Sequence, residues 1–258
     1  MIIAGIDVGS RYIKYAVLHK GVARFLREET GYDPLAVCRR LIEDTAPDRV
    51  LATGYGRHLL AADKEMATIT EIKAVARGAR AVFPSCRTII DIGGQDTKVM
   101  LLRADGTVGN FEMNDRCAAG TGKFLEIMAR ALGFSMNDFG LRCETSQQVT
   151  ISSLCAVFAE SEVITLIGKG VRREVIATAL HNSIVTRILP LVKRVGLVEE
   201  IVFAGGCARD ACLQKMLTER LGKSVLVHDQ PDMLSAYGAA LCALDEIKSH
   251  IRKTSLSP

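Results

Sequence analysis

Two stretches of the chain repeat one pattern of apolar and polar positions. Residues 6–14 read IDVGSRYIK and residues 90–98 read IDIGGQDTK, an offset of 84 positions for Ile, Asp, Gly and Lys alike. The flanks follow suit, YAVLHKGVARF against VMLLRADGTVGNF. Each copy predicts an apolar strand, a glycine turn, a second strand, a short loop and a third strand. Lys20-Gly21 and Asp105-Gly106 mark the loops. A second pair of segments also matches, VLATGYGR at 50–57 and VFAGGCAR at 202–209, with an offset of 152. Both predict a buried strand running into a glycine turn and then a helix. The second copy is therefore 68 residues longer, and the extra length falls between Phe111 and Val202. Helical periodicity is strongest over 34–44, 70–82, 117–132, 155–168, 172–195 and 233–244. The tail after Lys248 is expected to fray. The sum is an α/β chain of two duplicated lobes with mixed sheets. The first lobe spans 1–88 and is completed by a C-terminal helix at about 233–247; the second spans 89–232.

A strand ending in Asp-x-Gly before a hairpin is suited to phosphate. Gly9, Gly93 and Gly94 let backbone N–H groups approach phosphate oxygens with no side chain in the way. Ser10 adds a hydroxyl and Arg11 a cation to the first loop. Asp7 and Asp91 are placed to hold Mg²⁺ through water, because that ion prefers oxygen and keeps much of its hydration. A triphosphate is expected between the two hairpins, with Gly205-Gly206 meeting the nucleoside end. One such loop alone reads as an ordinary hairpin; two in matched register, plus the later GG turn, favour a nucleotide. Lys14 and Lys98 read equally as phosphate contacts and as solvated hairpin lysines. Neither a Walker A loop nor a Rossmann glycine fingerprint is present.

Composition narrows the class. The chain has 258 residues, 48% hydrophobic, with a net charge of +4. That supports a sizeable core and lacks the dense basic stripe of a nucleic-acid binder. No charged leader opens the sequence and no run of about 18 apolar residues occurs, so a cytoplasmic protein free of the membrane is expected. Eight cysteines without a CxxC pair argue against a disulfide framework in a reducing compartment. Cys38, Cys86, Cys143, Cys207, Cys212 and Cys242 read as small packing groups. Cys117 and Cys155 differ. Each is expected in the first turn of a helix, behind the caps Asn114 and Asp115 or Ser152 and Ser153. There the helix dipole favours a thiolate. Two thiolates are half of what a cubane cluster needs, and a two-fold homodimer supplies two plus two. Spacing alone leaves open a buried thiol or a zinc site built in the same way.

The motifs IDVGS, DIGGQ, AGG and AYGAAL (236–241) resemble the phosphate-1, phosphate-2, adenosine and connect motifs of the actin, heat-shock ATPase and hexokinase superfamily, over nearly the whole chain. The resemblance implies the actin-like ATPase (ribonuclease H-like) fold. MNDRCAAGTGKF, SSLCAVFAESEV, DIGGQDTK and TEIKAVARGA closely resemble the ATP-dependent activators of 2-hydroxyacyl-CoA dehydratases, in the BadF/BadG/BcrA/BcrD ATPase family. That likeness implies one [4Fe–4S] cluster per homodimer, ligated by Cys117 and Cys155 of each copy, together with ATP/ADP and Mg²⁺. It implies a ferredoxin or flavodoxin as electron donor. It also implies an iron–sulfur dehydratase or reductase, or a double-cubane cluster protein, as acceptor. ATP would shift the lobes and so drive the electron to a lower potential. Gln95 and Glu71 are candidates to position the attacking water, and Gln230 is a weaker candidate for nucleotide contact. A sugar kinase of the same superfamily and a cluster-free ATPase regulator are the competing readings.

Overall fold

The computed structural model describes residues 1–64, 66–143, 149–153 and 155–254. The N-terminal elements are β1 (Ile2–Val8), β2 (Tyr12–His19), β3 (Val22–Glu29), α1 (Pro34–Thr45), β4 (Arg49–Thr53), α2 (Arg57–Lys64) and α3 (Glu71–Val82). There follow β5 (Thr88–Ile92), β6 (Thr97–Leu102), β7 (Val108–Asn114), α4 (Gly122–Ala131), α5 (Met136–Leu141), α6 (Ala156–Gly168) and α7 (Arg173–Val195). The chain closes with β8 (Ile201–Ala204), α8 (Ala211–Leu221), β9 (Val225–Leu226) and α9 (Leu234–Thr254). Contacts divide it into two compact units, one of residues 1–86, 102–108 and 232 onward, the other of 87–101 and 109–231.

The first unit is built on a sheet of order β3-β2-β1-β4, with β4 parallel to β1 and the rest antiparallel. β1 is buried from Ile3 to Val8, as a strand covered on both faces must be. On one side Ile6, Val8, Ile13 and Tyr15 pack with Cys38 and Leu41 of α1. On the other, Ile3 and Leu51 pack with Ala74 of α3 and Ala239 and Ala243 of α9. Each fully buried large aliphatic contributes about 1.5–3 kcal/mol. Asp33 caps α1 by accepting from the Ala36 N–H at 3.0 Å, with Pro34 in the first helical position. The C-terminal helix does not fray after Lys248 but continues to Thr254; residues 255–258 lie outside the described residues.

The second unit repeats the plan with the order β7-β6-β5-β8-β9. β5 pairs antiparallel with β6 and parallel with β8. Its core gathers Phe124 and Met128 of α4, Phe139 of α5, Ile176, Leu180 and Ile184 of α7, and Phe203 of β8. Helix α7 is long and apolar enough by composition to cross a membrane, yet 67% of its most apolar window is buried inside this unit, as a core helix should be. Between the third and fourth strands the first unit has only α1, whereas the second has α4 to α7. Those four helices are where the extra 68 residues went.

Two expectations are corrected here. Cys117 is not in a helical turn: α4 begins at Gly122, behind Thr121. The intervening Ala-Ala-Gly-Thr-Gly is glycine-rich and a poor helix former. Asn114 ends β7, and its side-chain amide donates to the Cys117 carbonyl at 3.3 Å instead of capping a helix. Cys143 and Cys212 are not separate packing groups. They form a disulfide with Cα atoms 5.6 Å apart, tying the chain after α5 to the first turn of α8. The pairing needed α5 and α8 to be packed together, which spacing along the chain does not reveal.

Candidate functional site

The strand register sets the first loop. Asp7 lies opposite Lys14 across β1 and β2. The Lys14 ammonium donates to Asp7 Oδ2 at 2.7 Å, and the Ser235 hydroxyl donates to the same oxygen at 2.5 Å. Asp7 is wholly buried, and its Oδ1 has no hydrogen-bond partner among the described residues. A buried carboxylate oxygen left unmet is costly and calls for water or an ion; the donor suits Mg²⁺ held through water. Gly54, at φ +88°, lies against this carboxylate so closely that a Cβ there would collide with Oδ1. The Gly9 carbonyl accepts from the Thr30 hydroxyl at 2.7 Å. Ser10 and Arg11 are exposed, with Arg11 3.9 Å from Glu29. Glu71 is the first residue of α3, half-buried behind the Thr70 cap.

The second loop has the same register with different partners. Asp91 lies opposite Lys98. Lys98 is 2% exposed, and its ammonium sits 2.7 Å from Asp96 and 3.8 Å from Asp91. Gly205, at φ +85°, repeats the part of Gly54: a Cβ would collide with Asp91 Oδ1. The Gly205 N–H donates to the Pro231 carbonyl at 3.2 Å, and Gly206 opens a short 3-10 turn before α8. The Gly93 and Gly94 carbonyls accept from the Gly122 and Lys123 N–H groups at 2.9 and 2.8 Å. The Thr97 hydroxyl donates to the Gly120 carbonyl at 2.7 Å. The segment after Cys117 is thus bonded directly to the glycine loop. Cys207 lies against Gly93, and burial pushes its thiol up, leaving a neutral packing group. Gln95 is exposed beside Gly94. Gln230 is also exposed, its N–H donating to His228 Nδ1 at 3.0 Å.

Cys117 and Cys155 are both exposed thiols, neither of them in a disulfide. Cys155 stands at the N-cap of α6, the helix start expected of it. Ser152 and Ser153 do not cap that helix. Ser152 donates to Glu162 through its N–H at 2.9 Å and its hydroxyl at 2.8 Å, and Ser153 donates to the same carboxylate. These bonds, the Ser153 hydroxyl's foremost, hold Glu162 below the usual carboxylate range. Arg187 of α7 joins the two cysteine segments. It donates to the Ser183 carbonyl at 2.8 Å and to the Ser153 carbonyl, two residues before Cys155. Burial pulls this guanidinium down, while the Cys117 sulfur near it pulls the other way. No group of three or more metal-binding side chains occurs among the described residues. The chain offers two thiols, which is half of a four-thiolate site.

Sequence reading missed Ser235, Arg187 and Thr97. Ser235 stands one place before the AYGAAL motif and shows nothing of its own in the sequence. Arg187 lies in an otherwise ordinary helix, and Thr97 in an ordinary strand.

The BadF/BadG/BcrA/BcrD ATPase family model matches residues 4–243. The chain is 40% identical over 256 residues to the 2-hydroxyisocaproyl-CoA dehydratase activator of Clostridioides difficile, covering 95% of each protein. It is 40% identical over 252 residues to the (R)-2-hydroxyglutaryl-CoA dehydratase activating ATPase of Acidaminococcus fermentans, covering 93% of this chain and 95% of that one. The solved activator of the 2-hydroxyisocaproyl-CoA dehydratase from Clostridium difficile with bound ADPNP superposes with a TM-score of 0.88 at 36% identity, covering 98% of both chains. The fold is the actin-like ATPase fold of these activators.

Proposed function

The chain belongs to the BadF/BadG/BcrA/BcrD ATPase family, and from that premise we propose an ATP-hydrolysing iron–sulfur electron carrier that activates a partner iron–sulfur enzyme. The partner class is a 2-hydroxyacyl-CoA dehydratase, a related reductase or a double-cubane cluster protein; the donor is a ferredoxin or flavodoxin. The observation that carries the reading is the pair of exposed thiols, Cys117 and Cys155, with Arg187 bonded to the Ser153 carbonyl and close enough to Cys117 to feel its charge. They lie in the segment that the second repeat has and the first lacks.

When bound, a [4Fe–4S] cluster supplies a one-electron carrier whose potential follows charge, hydrogen bonding and exposure. The remaining chemistry is the chain's own. Backbone N–H groups around Gly9 to Arg11 and Gly93 to Gln95 meet phosphate oxygens. Asp7 and Asp91 hold hydrated Mg²⁺, and Lys14 and Lys98 balance the charge. Gly205 and Gly206 meet the nucleoside; Gln230 directly precedes Pro231, whose carbonyl accepts from the Gly205 N–H. Gln95 and Glu71 are the side chains to test for orienting the attacking water. A change at Gly93-Gly94 on nucleotide binding reaches the Cys117 segment through the bonds to Gly122 and Lys123 and through Thr97. Nucleotide drives that change only by binding the two arrangements with different affinity.

Two thiols per chain support a homodimer with the site on its two-fold axis. Helix α6, with Cys155 at its N-cap position, also carries exposed Val157, Ile164 and Ile167 along one side, apolar surface suited to a second copy. The localisation we assign is cytoplasmic.

The test is anaerobic purification with iron, sulfide and visible-spectrum analysis. A brown dimer with about four irons is expected. Cys155→Ser should be colourless while still binding ATP. Iron retained in that variant would remove the ligand assignment, and a colourless wild-type protein would leave a cluster-free ATPase regulator.

A further inference from the structure

We infer that Ser235 is a positioning residue for the metal–nucleotide complex, acting through Asp7. The inference rests on reading Asp7 as the carboxylate that meets hydrated Mg²⁺.

Ser235 lies in the first turn of α9 and is 5% exposed. A buried hydroxyl must find a partner, and two acceptors are in range. The Asp232 carbonyl is 3.5 Å away and Asp7 Oδ2 is 2.5 Å away. The shorter, charge-assisted bond takes the single proton. Lys14 also donates to Oδ2, so both donors act on one oxygen. A carboxylate rotates about its Cβ–Cγ bond unless something holds it. With Oδ2 pinned twice, and the backbone of Gly54 closing one side of the group, the other oxygen is held in a single direction. That oxygen, Oδ1, is the buried atom without a partner among the described residues.

The turn that carries Ser235 is itself braced. Asp232 is 4% exposed and accepts from Arg27 of β3 at 3.1 Å, and Arg27 stacks over the Tyr12 ring at 4.9 Å. The C-terminal helix therefore reaches the first phosphate loop through a hydroxyl. In the second loop the lysine itself, Lys98, lies between two carboxylates, Asp91 and Asp96.

The test measures ATP affinity calorimetrically, with Mg²⁺ saturating and with Mg²⁺ removed by chelator, on the full chain. In Ser235→Ala the metal-free affinity should stay within about twofold, while the gain in affinity from Mg²⁺ falls about tenfold, the scale of one hydrogen bond to a charged group. Ser235→Thr, which keeps the hydroxyl, should recover most of that gain. Ser235→Gly serves as the hydroxyl-free variant if the alanine protein does not fold, with melting curves recorded beside wild type. A full Mg²⁺ gain in the hydroxyl-free variants would overturn the inference. So would an equal loss with and without metal, which marks a packing role alone. Asp7→Asn separates the two levels. If it keeps the Mg²⁺ gain, the reading of Asp7 itself fails. If it loses the gain while Ser235→Ala keeps it, only the role of Ser235 fails.

Discussion

The two Asp-x-Gly loops share strand register, glycine cover and an opposing lysine, but they are wired to different parts of the chain. In the first, Lys14 and Ser235 converge on one oxygen of Asp7, and the loop is tied to the C-terminal helix. In the second, Lys98 turns toward Asp96, and the carbonyls of Gly93 and Gly94 hold the start of α4. The repeat supplies two similar Asp-x-Gly loops. Divergence then connected one to a closing helix and the other to the segment that carries Cys117. A copied loop keeps its backbone geometry because glycine and strand pairing dictate it. Its side-chain partners come from whichever later element packs against it.

The largest expected effect separates the lysines. Lys98→Met leaves Asp91 and Asp96 without their shared cation and should cost about 3–5 kcal/mol, the scale for breaking a buried pair from one side. Lys14→Met should cost less, since Ser235 still donates to Asp7. Urea unfolding compares them; equal losses would break the asymmetry drawn between the loops. Next is the disulfide of the second unit. Reducing it, or making Cys143→Ser, should lower stability by about 2–4 kcal/mol, read as a shift in the unfolding midpoint.

The shared geometry comes third. Gly54→Ala and Gly205→Ala should each cost about 1–3 kcal/mol, from positive φ and collision with the aspartate. Similar losses would confirm that both turns serve one purpose. A smaller effect should come from Thr97→Val, about 1 kcal/mol for one hydrogen bond. Under the proposed function, its clearer sign would be electron transfer that no longer keeps pace with ATP hydrolysis, assayed side by side. The smallest concerns Glu162. Its folded-state pKa is depressed, so its contribution is present at neutral pH and is lost as pH falls through that value. The melting difference between wild type and Glu162→Gln should therefore shrink as pH falls below the ordinary glutamate range.

Much of this was legible beforehand. IDVGS and IDIGG predicted paired strands, because an apolar run closed by glycine has few other outcomes. The 84-residue offset placed Asp7 and Asp91 in equivalent register. The helix start at Cys155 was legible too. At Cys117 the cap-like Asn114 and Asp115 misled, since the glycines behind them delay the helix to Gly122. The Cys143–Cys212 pair was hidden because 69 residues separate the two and only packing brings them together.

The sequence by itself determined the duplicated strands, the glycine turns, the family and the insertion, because each depends on neighbours in the chain or on a repeat. Only the tertiary structure decided which oxygen of Asp7 is held, that Ser235 holds it, that Arg187 joins the cysteine segments and that Gly93-Gly94 grips α4. Those contacts join residues far apart in the chain, and nothing local in the sequence encodes which of them will meet.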